Sequence, residues 1–144
     1  MTTVLAPPEP PVTRGRRMAA PVATIGALTL ATVALHVRDP HASGSWGYCP
    51  TALLGFSCPG CGGLRAVNDL TNGEVGAALS SNLLVSVLIP VAVVLLAVWA
   101  VDRWRGRVRI VPWSRLRPVV VALVTVMFVF AVVRNTGPGA WLAP

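Results

Sequence analysis

The sequence is short of charge. Only 12% of its 144 residues are Asp, Glu, Lys or Arg, where a soluble domain carries roughly 25%. Lysine is absent: all twelve basic residues are arginine, set against five acidic ones. A chain this poor in charge cannot cover its own surface in water, which excludes a free-standing soluble enzyme. Hydrophobic residues make up 54%, and that excludes a disordered basic chain, because disorder needs low hydrophobicity. Several signatures are also missing. Gly62-Gly63 belongs to no phosphate-loop pattern, and no Ser/His/Asp hydrolase context is present. No RNA-binding or helix-turn-helix signature accompanies the net charge of +7, so nucleic acid is not an expected partner. The alternating pattern of a membrane β-barrel is replaced by long unbroken apolar runs.

Those runs define the expected architecture. Residues 1–17, with Pro7, Pro8, Pro10 and Pro11, have no hydrophobic periodicity and predict a disordered tail. Residues 18–144 read as a single membrane domain. Spans are expected at 19–37, 82–101 and 118–133, joined by a long connection over 38–81. The first run, Ala19 to Val37, corresponds to a helix of about 28 Å, close to the thickness of a bilayer core. A cleaved signal peptide is the competing reading of this end. The stretch from Arg38 to Gly44 offers no clean small-x-small cleavage site, which favours the span. In the second run Pro90 predicts a kink. Its helix is expected to begin near Glu74, capped by Asn72 or Gly73. The third run is short, and Arg117 and Arg134 are expected to snorkel to the headgroups at its two ends. Trp99, Trp104, Trp113 and Trp141 fall near span ends, where indole favours the interface. No run contains an internal Asp, Glu or Arg, which argues against a proton relay within one subunit.

Nine arginines sit in two short segments, Arg14 to Arg17 and Arg103 to Arg117. By the positive-inside rule they orient the chain. The N-terminus and the second connection are expected in the cytoplasm, with the first connection and the C-terminus outside. The bilayer is then the main partner. Ala23, Ala27 and Ala31 recur at four-residue spacing, a stripe that suits close helix approach within the chain, to a second copy or to another membrane protein.

All three cysteines, Cys49, Cys58 and Cys61, fall in the first connection. Pro59 fixes φ and Gly60 admits unusual backbone angles, so Cys58 and Cys61 can face one another across a tight turn. Residues Gly63 to Leu70 fit a short helix that would place both thiols near its N-terminus, where the dipole favours thiolate. Three readings of the thiols stay open. One is a Cys58–Cys61 disulfide or redox pair. Another is a zinc site with Cys49 as third ligand and His41 as fourth. The last is a compact Pro/Gly turn with inert thiols. The βαβ context of thioredoxin-like proteins is absent.

The run from Cys58 to Ala66, Cys-Pro-Gly-Cys-Gly-Gly-Leu-Arg-Ala, resembles the signature of a bacterial membrane family catalogued as domain of unknown function 2752. That motif is approximately Cys-Pro-x-Cys-Gly-x-Thr-Arg-Ala. The upstream Cys49-Pro50, the turn Asn72-Gly73-Glu74 and Asn82 fit the same pattern, and the resemblance covers roughly Cys49 to Val101. Leu64 stands where the family usually has Thr, so any role of that hydroxyl is missing here. The resemblance implies membrane placement and a motif, and no mechanism.

Arg65 lies one helical turn after Cys61 and is a candidate contact for an anion or a partner, against the plainer reading of an interfacial Arg paired with Asp69. Asn82 and Ser86 share a face and are expected to hydrogen-bond another helix or the backbone of the Cys loop. His36 reads as an interfacial polar residue. The expected fold is therefore an all-α integral membrane protein. It has three transmembrane helices plus a short interfacial or re-entrant helix after a Cys-Pro-Gly-Cys turn. The expected function is that of a non-enzymatic accessory or partner-binding protein. A thiol-redox or metal-binding protein acting through Cys58 and Cys61 is the alternative.

Overall fold

The computed structural model describes residues 13–42, 46, 51 and 54–142. Among the described residues four helices follow one another: α1 (Arg14–Val37), α2 (Gly63–Thr71), α3 (Val75–Trp104) and α4 (Trp113–Arg134), and a 3-10 helix spans Gly137–Leu142. Three of them, α1, α3 and α4, are long and apolar enough to cross a membrane. The protein is an all-α, multi-pass membrane protein with one further short helix beside the cysteine pair.

The N-terminal boundary differs from the sequence expectation. α1 opens at Arg14, so the last four residues assigned to the tail are helical. Arginine is a good helix former, and no proline lies between Thr13 and the apolar run. Residues 1–12 lie outside the described residues. α2 ends one residue beyond the expected segment, at Thr71. The N-cap of α3 is Glu74 rather than Asn72 or Gly73.

The larger addition concerns a break in α3. Pro90 sits inside α3, yet the only break in helical backbone there is at Asn82, with φ −163° and ψ 98°. That extended residue divides α3 into a short upper segment, which packs on α2, and a membrane segment from residue 83. The latter has a length of about 33 Å, enough to cross a bilayer core. Two side chains repair the break. Asn82 Oδ1 accepts the Val85 N–H at 3.0 Å, as an N-cap would for a new helix. Ser86 Oγ lies 2.7 Å from the Ala78 carbonyl and 2.8 Å from the Asn82 carbonyl, sharing its proton between them.

α3 is the hub. It packs most extensively on α2 and also on α1, and α2 touches α1. Asn68 of α2, 4% exposed, donates to the Leu35 carbonyl at 2.8 Å, one of the last carbonyls of α1 that a helix leaves without an internal partner. The Trp46 indole N–H does the same for the Arg38 carbonyl at 2.6 Å. Along the spans little is buried within the chain, as expected of helices whose solvent is lipid. The Ala23, Ala27 and Ala31 stripe is exposed too.

At the far end of the spans, Arg14 stacks on the Trp104 ring, 4.7 Å from its centroid. Asp102 takes both Nε and Nη2 of Arg109. Gly106 has φ +72°, and the Arg17 guanidinium occupies the place where a Cβ would stand. The side chain of Trp141 lies outside the described residues.

Candidate thiol site

The site is a turn fixed from three directions. Residues 58–63 fold back on themselves: the Cys61 N–H donates to the Cys58 carbonyl at 3.0 Å and the Gly63 N–H to the Gly60 carbonyl at 2.9 Å. Gly62 then caps α2 with φ +76°, a left-handed conformation that glycine adopts without strain. Cys61 thus stands one residue before the N-cap. The two sulfurs lie 3.1 Å apart. Cys61 is buried and Cys58 half-buried, and Thr51 Oγ1 lies 3.8 Å from the Cys61 sulfur.

Beneath the turn is Asn82, fully buried. Its amide nitrogen donates one proton to the Pro59 carbonyl and the other to the Cys61 carbonyl, each at 2.9 Å. The helix break at Asn82 is what frees its side chain to point at the loop while its oxygen caps the lower helix. A polar group buried this deeply is costly unless its bonds are made, and here both amide protons and the oxygen are used.

From the side comes the end of α4. Arg134 is only 2% exposed, and its Nη1 donates to the Cys58 carbonyl at 3.1 Å. The expectation that Arg134 snorkels to the headgroups is therefore corrected: the Cys loop lies over the helix end and encloses the guanidinium. Its Nε and Nη2 are buried without a hydrogen-bond partner among the described residues, and the Nη1 contact with the Cys58 carbonyl sets the guanidinium beside the turn. The next residue, Asn135, pairs with Ser57 as a neighbouring strand would. Its Oδ1 accepts the Ser57 N–H at 2.9 Å and its Nδ2 donates to the Ser57 carbonyl at 2.8 Å.

The remaining candidates sit elsewhere. His41 lies between two carboxylates: Nδ1 is 2.9 Å from Asp39 Oδ1 and Nε2 is 3.2 Å from Asp69 Oδ1. The His41 backbone N–H also donates to Asp39 at 2.8 Å. This bond, followed by the side-chain bond, holds the Asp39 carboxyl below its ordinary 3.8. Asp69 is buried and accepts the Ser81 hydroxyl at 2.7 Å, so it is His41 and Ser81, rather than Arg65, that occupy it. Arg65 is exposed on α2, and its charge reaches Asp39. His36 Nδ1 lies 3.1 Å from Thr71 Oγ1. Cys49 lies outside the described residues. Among the described residues no group of three or more His, Cys, Asp or Glu side chains is placed to hold a metal ion.

The structure thus brings together Cys58, Cys61 and Asn82, and adds Arg134, Asn135 and Ser57, which the sequence reading left out of the site. An arginine closing an apolar run is ordinarily an interfacial anchor, so nothing in the local sequence sets Arg134 apart.

Residues 49–96 match the family model described as "Protein of unknown function (DUF2752)". The matched segment holds the turn, α2, the Asn82 break and most of the membrane part of α3. No curated protein and no solved structure matches the chain.

Proposed function

We propose that this protein is a membrane thiol–disulfide exchange protein working through Cys58 and Cys61. The observation that carries the reading is the 3.1 Å sulfur contact on a turn held by buried Asn82 and Arg134. Closing such a pair to a disulfide, with its bond of about 2.05 Å, takes a movement of roughly 1 Å. An inert turn has no need of a buried cation beside its sulfurs.

Cys58, the more exposed thiol, is the attacking group. Its thiolate attacks one sulfur of a substrate disulfide, forming a mixed disulfide and releasing the other substrate sulfur as thiolate. The Cys61 thiolate then attacks the Cys58 sulfur, expels the second substrate thiolate and closes the Cys58–Cys61 disulfide. Two electrons pass from the dithiol to the substrate, and the protons lost by the cysteines protonate the released thiolates. The reverse sequence oxidises a substrate dithiol. Negative charge sits on Cys58 as it attacks and on Cys61 as it closes the disulfide, and the Arg134 guanidinium stands beside the turn where both thiolates form.

The distribution of arginines supports an outside location for this turn and for the C-terminus, with the N-terminus and the second connection in the cytoplasm. Ser43→Cys labelled with a membrane-impermeant maleimide from outside supports that orientation; labelling only from the cytoplasmic side overturns it.

Mixed-disulfide trapping tests the activity. Cys61→Ser, expressed in native membranes, is expected to accumulate adducts that a reducing agent releases, and Cys58→Ser is expected to accumulate none. If neither variant forms an adduct, and both parent thiols stay alkylatable after exposure to a small-molecule disulfide, the proposal fails.

A further inference from the structure

We infer that the end of the bundle opposite the thiol turn is a binding surface for the phosphodiester headgroup of anionic phospholipids. This inference stands independently of the thiol chemistry.

The chain gathers nine of its twelve arginines at this end: three on the first turn of α1, and six between the end of α3 and the first turns of α4. The folded structure brings the two segments that carry them together. Arg14 lies over Trp104, and Arg17 reaches across Gly106. Among the described residues the only carboxylate here is Asp102, and it is taken by Arg109. That leaves eight guanidinium groups without a carboxylate among the described residues.

Local features make the imbalance sharper. Neither α1 nor α4 has an acidic residue in its first turn, and neither has a side-chain cap bond. Both helices therefore present arginines at the positive end of their dipoles, where a negative group is favoured. The Nε of Arg17 is buried without a partner among the described residues. Like charges gathered at one end of the bundle repel unless an anion lies among them.

The level at which they lie identifies the anion. The arginines adjoin the ends of three membrane-crossing helices, and exposed Trp104 and Trp113 mark the depth that indole prefers, the headgroup layer. The abundant anion at that depth is the lipid phosphodiester, and guanidinium groups pair with its oxygens in a planar, two-pronged manner.

The test uses the full chain purified in detergent, so that altered membrane orientation does not enter. Phosphatidylglycerol, phosphatidylcholine or inorganic phosphate is added, and retained lipid is counted by native mass spectrometry alongside melting temperature. Phosphatidylglycerol is expected to bind and to raise the melting temperature, and the other two are not. The combined variant Arg105→Gln, Arg107→Gln, Arg115→Gln, Arg117→Gln is expected to lose about tenfold or more in phosphatidylglycerol affinity. The corresponding four Arg→Lys changes should keep most of it. Equal binding of the two lipids, an equal effect of inorganic phosphate, or a Gln variant that binds like the parent overturns the inference. If the Gln variant does not fold, salt decides on the parent protein. Binding that does not weaken between about 50 and 500 mM NaCl overturns it.

Discussion

Asn82 and Cys61 are joined by a bond that runs from the break at the head of a membrane helix to the carbonyl beside a thiol. One Asn82 amide proton meets the Cys61 carbonyl and the other the Pro59 carbonyl, both at 2.9 Å, while the Asn82 oxygen holds Val85. The helix is broken where the turn needs a partner.

Removing that side chain leaves buried groups unpaired. Asn82→Ala is expected to lower stability by about 1–3 kcal/mol for each buried polar group left without a partner. Asn82→Asp keeps the oxygen that caps Val85 and loses the donors, so it should bind the turn less well and hold the helix better. Thermal unfolding in detergent, read with the alkylation rate of Cys61, checks both. Loss of the turn's anchor should speed alkylation in both variants.

Arg134 separates stability from chemistry. A buried charge with unpaired donors is a poor stabiliser, and replacing such groups by apolar ones is often neutral or stabilising by about 1–4 kcal/mol. Arg134→Met is therefore expected to unfold at a temperature close to the parent's. The same variant should exchange with a small-molecule disulfide about tenfold more slowly, because the positive charge beside the sulfurs is gone. Arg134→Lys should recover much of the rate. Equal rates in all three proteins would remove Arg134 from the chemistry.

Gly62 must keep its positive φ for α2 to start directly after Cys61. Gly62→Ala is expected to cost about 1–2 kcal/mol and to slow Cys58–Cys61 disulfide closure in a glutathione redox titration. An unchanged closure rate would mean that the turn tolerates a shifted cap.

Acid should loosen the His41 contact through Asp39. The folded Asp39 carboxyl lies below its ordinary 3.8, so its contribution is present above that value and is lost as pH falls through the folded-state value. Parent stability followed from about pH 6 downward is expected to show a small acid-side decline, and Asp39→Asn a shallower one. The effect is small because the group is open to solvent.

The spans were legible because apolar runs of this length have few alternatives, and α2 was legible from the glycines before it and the turn after it. The break at Asn82 was not legible for a physical reason. Pro90 removes a donor inside a helix that lipid and neighbours can still support. The Asn82 break is driven by carbonyls 21 and 23 residues upstream, which no local pattern reveals. In the site, the spacing of Cys58 and Cys61 and the polarity of Asn82 and Ser86 could be read. Arg134 could not, because its role depends on a meeting 76 residues apart in the chain. Asp69 offered a plausible pair with Arg65 at helical spacing. The fold instead turned it toward His41 and Ser81, on the buried side of α2.

The meeting of Arg134 and Asn135 with residues 57 and 58 also sets a timetable. The turn is synthesised 76 to 78 residues before the side chains that clasp it, an interval of about 4–16 s at usual translation rates. During that interval the thiols exist without their cation or their clasp. The site therefore matures only after α4 has been made, and its competence reports that α4 has been inserted.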